Sequence, residues 1–184
     1  MIAGPSSAPG EGDMILPTVR DPRLVTERRG GSLNDADHQS LAFWAAACAA
    51  HVLPLFEQLH PNDARPREAI DAARAWARGE RTMMATRALG GHAMGAARPL
   101  RGAARFAAYA SGQAACVPHV PEHDLGAAAY AIKAAQATAS SGDEQSVRLA
   151  ERDWQRDRLP EHLCALVIDD QERRNHRCWF AFSD

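Results

Sequence analysis

AAYASGQAACVPHVPEHDLGAAAYAIKAA, residues Ala107 to Ala135, is the stretch whose reading decides the fold. Two alanine-rich runs flank a proline corner, Cys116-Val-Pro-His-Val-Pro-Glu-His123. Alanine is the strongest helix former, and helices poor in large side chains can approach their neighbours closely. The stretch therefore reads as a helical pair near the middle of an all-α core. Its corner concentrates two polar groups, His119 and His123, which form either a site or a structural joint.

Working outward, the neighbouring runs carry helix starts and stops of their own. Upstream, Asn34 or Asp35 can cap a helix that runs through LAFWAAACAAHVLPLFEQL. Leu41 to Ala50 is apolar on every face, which marks a buried helix, and Pro54 is expected to kink or split it. Pro66 opens the next helix, PREAIDAARAWARGE, with Ile70, Ala73, Trp76 and Ala77 inward and Gly79 at its end. Thr82 can cap MMATRALGGHAMGAARP. Its Gly90, Gly91 and Gly95 each weaken a helix by ~1 kcal/mol against alanine, which makes sense where another helix crosses closely. Pro99 stops it, and a helix from about Leu100 to Cys116 follows.

Beyond Pro121 a helix continues to about Ala139, with Glu122 and Asp124 in its positive first turn. After the break at Ser140 to Asp143 comes a charged helix, about Glu144 to Arg158, with Val147, Leu149, Ala150 and Trp154 as its expected buried positions. Leu159-Pro160 turns into a last helix. The tail, Asn175 to Asp184, carries three aromatics and is expected to pack back on the bundle. Residues 1–13 read as a flexible leader or extra residues, 14–33 as an arm or small hairpin around Gly30-Gly31, and 34–184 as one helical domain. The expected architecture is an irregular bundle of six or seven helices, or stacked helix pairs.

The net charge of −2 supplies no general drive towards nucleic acid or an anionic membrane. No apolar run approaches the ~18 residues of a membrane span, and no signal peptide is evident. Cys48, Cys116, Cys164 and Cys178 show neither a C-x-x-C pair nor zinc-knuckle spacing, which fits a reducing cytoplasm. Phosphate-loop and nucleophile-elbow motifs are missing.

His119 and His123 stand four apart, a spacing that can set two imidazoles on one helical face, but Pro121 lies between them. A zinc site would need further ligands, for which His92 or His51 are the candidates. The alternative is that these histidines satisfy backbone groups freed around the prolines. Cys116 beside His119 lacks the third orienting group of a thiol nucleophile.

Charge divides the chain. Between Arg81 and Pro121 there is no acid, while Arg81, Arg87, Arg98, Arg101 and Arg105 are basic. Acids cluster from Asp143 to Glu172, among them Glu151, Asp153, Asp157, Asp169 and Asp170. The two regions either neutralise each other within the fold or across a homodimer, or present opposed faces.

Four strings carry a family resemblance: TVRDPRLVTERRGGSLNDADHQSLAFWAAACAAHVLPLFE, NDARPREAIDAARAWARGE, AACVPHVPEHDLGAAAYAIKAA and ERDWQRDRLPEHLCALVIDDQERRNHRCWFAFSD. They resemble the bacterial immunity proteins with an immunity-protein-5-like helical domain, associated with polymorphic toxin systems. The resemblance covers the chain from about residue 14. It implies a non-catalytic, cytoplasmic protein that binds and neutralises a cognate toxin, with no cofactor. On that footing Glu151, Asp153, Asp157, Asp169 and Asp170 are the expected contacts, an acidic face suited to the basic cleft of a nuclease toxin. Relatives often read HVxxHAxGAA at the corner; here Asp124 follows His123, a charge expected to alter the local surface. Two other readings stay open. One is a small-molecule or metal-binding protein with a pocket near His92, His119 and His123, and the other a structural or regulatory interaction module.

Overall fold

The computed structural model describes residues 15–184; the expected leader, residues 1–13, lies outside them. Helices α1 (Asp35–Val52), α2 (Pro54–Glu57), α3 (Arg65–Ala77), α4 (Met83–Ala97), α5 (Gly102–Ala114), α6 (His123–Gln136), α7 (Glu144–Arg156) and α8 (Glu161–Arg174) follow in order. Short 3-10 turns at Pro22–Leu24, Glu27–Arg29 and Asn175–Cys178 flank them. No strand occurs among the described residues, and the fold is all-α as expected.

Local chemistry sets the helix ends. The Asn34 side chain accepts from the Asp37 N–H at 2.8 Å and caps α1. Pro54 cannot donate to the turn before it, so the helix divides there and α2 is a single turn. The Thr82 side chain accepts from the Ala85 N–H to start α4, and Gly79, at φ +78°, ends the chain's excursion after α3.

The central pair is α5 and α6, with α1 and α3 packed on it and α4 resting against α3 and α5. Helix α1 buries Leu41, Trp44, Cys48 and Val52 into this core. Each large apolar side chain so buried contributes about 1.5–3 kcal/mol. Contrary to the sequence expectation, Asp35–Glu57 is long and apolar enough by composition to cross a membrane, and 56% of its most apolar 18-residue window is buried within the protein. An apolar helix wrapped by neighbours satisfies the same hydropathy test as a membrane span.

The N-terminal segment is an ordered arm rather than a hairpin. Its one bridge, Thr26 with Leu33, is parallel and isolated. Gly31 is required there, because a methyl at that position would fall 2.0 Å from the Val25 carbonyl oxygen. Ile15, Leu24 and Leu33 of the arm are buried in the same core as the helices.

The tail folds back as expected. Cys178, Ala181 and Phe182 are buried, while Trp179 and Phe180 stay exposed. Both exposed aromatics hold φ near +54° to +58°, a strained setting for bulky residues. Asn175 secures the reversal: its carbonyl accepts from the Phe180 N–H at 2.8 Å and its Oδ1 from the Phe182 N–H at 3.1 Å.

Helix α7 departs most from its expected packing. Val147, Leu149 and Trp154 are half-buried and Ala150 is exposed, while Glu151, Arg152 and Gln155 face inward. Trp44 donates its indole N–H to the Gln155 carbonyl at 2.9 Å, and the Gln155 amide reaches the Ala128 carbonyl at 3.2 Å. The inner face is thus a hydrogen-bonded polar seam, with Gln155 Oε1 left unpartnered, which an apolar periodicity cannot register.

Candidate functional site

The corner between α5 and α6 is built from the residues singled out in the sequence. Tight turns, with Val120 N–H to Cys116 carbonyl and Asp124 N–H to Pro121 carbonyl, carry the chain through it. His38 of α1 reaches the Val117 carbonyl at 2.8 Å through Nε2. His123 Nδ1 lies 2.6 Å from Gln113 Oε1, so the imidazole donates to an acceptor one helix back. Burial pushes His123 down to about 4, with His119 and the guanidiniums of Arg174, Arg87 and Arg20 adding to the effect. His119 is lowered too, by burial and by Arg87, Arg29 and Arg20.

The arm and α8 both close on this corner. Arg20 of the arm pairs with the buried Glu122 carboxylate, its Nε 2.8 Å from Oε1. Arg174 of α8 donates to the Glu122 carbonyl at 3.0 Å and to Asp170 at 2.9 Å, and lies 3.4 Å from Asp124 Oδ1. Asp124 is 1% exposed. It therefore belongs to the interior, and the surface change expected from its sequence position does not follow. Burial pushes its carboxyl up to about 7, against the pull of Arg174.

His119 and His123 are half-buried at the corner. His92 lies on the solvent face of α4, away from the interior side that α5 covers. Among the described residues no three His, Cys, Asp or Glu side chains converge as a metal would require. The Cys116 thiol is pushed up to about 11 by burial, the reverse of an activated nucleophile.

The expected acidic face separates into interior and surface groups. Glu151 is buried, 2.7 Å from His51 Nδ1 and 2.9 Å from the Gln155 amide. Asp170 is buried on Arg174. A partner's surface reaches neither without displacing their neighbours. Asp169 pairs with Arg23 and Arg173, and Asp153 with Arg152. Asp153 and Asp157 remain on the exposed side of α7.

Beside them, α1 and α7 form a seam with different chemistry. A groove of about 300 Å³ is lined by Ser40, Phe43, Trp44, Ala47, Arg158 and Pro160. Phe43 is 41% exposed. His51 stacks on Trp154 with ring centroids 3.6 Å apart, and the Arg158 guanidinium sits 3.8 Å from the Trp154 centroid. Exposed aromatic and guanidinium groups are the side chains that anchor protein contacts. The sequence reading assigned Trp154 to the core and did not mark Phe43 or Arg158. Phe43 falls in a run apolar on every face, which hides its outward position. A second cleft, about 310 Å³, opens between the arm and α8 over Asp21, Glu122, Asp170 and Arg173.

Among the described residues, none of these surfaces joins a nucleophile, a base and an orienting group. A family model described as Imm-5 like putative immunity protein matches residues 31–162. The chain belongs to that family. The Imm-5 like match runs from Gly31, just ahead of α1, to His162 in the first turn of α8. It takes in the bundle and the α5–α6 corner, and leaves the start of the arm, most of α8 and the tail outside. No curated protein and no solved structure matches the chain.

Proposed function

We propose that this chain is a non-catalytic immunity protein that binds a cognate toxin protein and blocks its active site or its access to substrate. The observation that carries this reading is the family match across the helical bundle, residues 31–162. Binding asks no residue to do chemistry. It asks for a rigid scaffold with exposed anchors, and the tightly joined α5–α6 pair supports such a scaffold. We place the protein in the cytoplasm, where its four free cysteines stay reduced.

The deciding experiment is co-expression with a candidate toxin, sought among the neighbouring genes. Cells producing the toxin alone are expected to stop growing, and cells producing both to recover. Expressed, folded protein that leaves the toxin fully active would refute the immunity role.

A further inference from the structure

Half of the exposed arginines among the described residues are neutralised by a carboxylate close at hand. Arg23 pairs with Asp21, Arg28 with Asp35, Arg65 with Asp63, Arg67 with Glu57 and Arg78 with Glu80. The stretch from α4 into α5 is different. It contains no acid, and no carboxylate from elsewhere folds over it: the exposed side chains of Arg87, Arg98 and Arg101 make no ion pair or hydrogen bond among the described residues.

Helix geometry gathers these charges. At about 100° per residue Arg87 and Arg98 fall within roughly 20° of each other around α4, about 16 Å apart along its axis. Arg101 follows at the turn into α5. The outward arc beside them is small and apolar, with Ala88, Gly91 and Met84, the last 58% exposed. A methyl added at Gly91 would meet nothing within 4 Å, so this face is open. At its other end Arg87 joins Arg29 and Arg20 in acting on His119, so the positive field continues to the α5–α6 corner.

We infer that the outer face of α4, bounded by Arg87, Arg98 and Arg101, docks an acidic surface of the toxin protein. Carboxylates pair with the guanidinium forks, and Met84, one turn before Arg87, adds an apolar anchor at that end of the face. Arginine is favoured at interfaces because its planar fork matches carboxylates and sheds water readily. The inference deepens the immunity reading and rests on it. It reverses the charge sign expected from the sequence, since the acids that were to form the binding face are largely interior or already paired. A protein fits this face better than nucleic acid does. The centre is apolar, no Phe, Tyr or Trp stands on it for base stacking, and the molecule's net charge of −2 opposes a polyanion at long range. The α1–α7 seam holds anchors as well, but Asp157 and Arg158 lie side by side there and specify no partner charge.

The test is association kinetics with the purified cognate toxin for the wild type, an R87E/R98E/R101E variant, its neutral counterpart R87Q/R98Q/R101Q, and a D153R/D157R variant. Melting curves verify that each is folded. Charge reversal at the three arginines is expected to slow association about tenfold or more at low salt, with the neutral variant between and the gap closing in high salt. The D153R/D157R variant is expected to associate no more slowly than wild type. Toxin binding that is indifferent to the arginine variants, or slowed by D153R/D157R instead, overturns the assignment of this surface while the immunity reading stands. Failure of the wild type to bind the toxin removes both. Equally tight binding of a duplex or single-stranded oligonucleotide through the same arginines overturns the protein-partner assignment.

Discussion

Gly90 of α4 and Gly112 of α5 touch backbone to backbone. A methyl added at Gly90 would lie 2.8 Å from the Gly112 carbonyl oxygen, and one added at Gly112 would lie 2.9 Å from the Gly90 carbonyl oxygen. The two helices meet at this point because neither residue has a side chain.

Gly90→Ala is therefore expected to destabilise the protein by about 1–3 kcal/mol, as overpacking does. Cys116 Sγ and the Ala115 methyl crowd the same spot, at 3.0 and 3.3 Å. Its neighbour is the control. Gly91→Ala meets open space and should stabilise α4 by about 0.5–1 kcal/mol through helix propensity. Denaturant midpoints of the two variants should move in opposite directions.

The Asp124 carboxyl makes stability depend on pH. Its folded value, about 7, stands above the ordinary one of 3.8. The folded state then holds a proton that the unfolded chain releases, so this group's contribution is full below about 4 and is lost as pH rises through 7. One carboxylate oxygen, Oδ2, has no hydrogen-bond partner. Asp124→Asn should gain on wild type in melting temperature between pH 5 and pH 8; a difference constant across that range would show that Asp124 does not titrate there.

His123 acts in the opposite sense. Its folded value, about 4, stands below the ordinary 6.5, so its contribution is present above 6.5 and is lost as pH falls through 4. NMR titration is expected to show this imidazole neutral at pH 5, with its proton on Nδ1 facing Gln113.

Arg152 ties the tail to α7. Its guanidinium donates to the Phe182 carbonyl at 3.4 Å and to the Asp184 carboxylate at 2.9 Å, beside Arg148, which reaches the Ser183 carbonyl at 2.6 Å. Arg152→Ala removes its own bonds but leaves Arg156 on the Phe182 carbonyl and Arg148 on the Ser183 carbonyl, and should cost about 0.5–1.5 kcal/mol. Hydrogen exchange should rise first at residues 178–184, and uniform protection there would count against this role.

Features written in adjacent residues were legible beforehand. The caps at Asn34 and Thr82, the break at Pro54 and the close crossing at Gly90 each depend on a residue's own backbone chemistry. The partners of the buried charges were not legible, because they come from far along the chain: Arg20 meets Glu122, 102 residues away, and Trp44 meets Gln155, 111 residues away. The same limit applied to the candidate surface. Charge runs placed a basic and an acidic region correctly in sequence, but only the fold distinguishes Glu151 and Asp170, folded inward, from Arg87, Arg98 and Arg101, left outside without partners.

The clasp of Arg174 on the α5–α6 corner has a consequence for synthesis. Asp124 sits near the middle of the chain, and the guanidinium beside its buried carboxyl comes from the last helix. Stranding a buried charge without its partner costs several kcal/mol. A ribosome-bound chain stopped before residue 174 can form α1 to α5, yet it cannot close the corner. The corner is therefore expected to close fully only after α8 has emerged and Arg174 has reached Asp124.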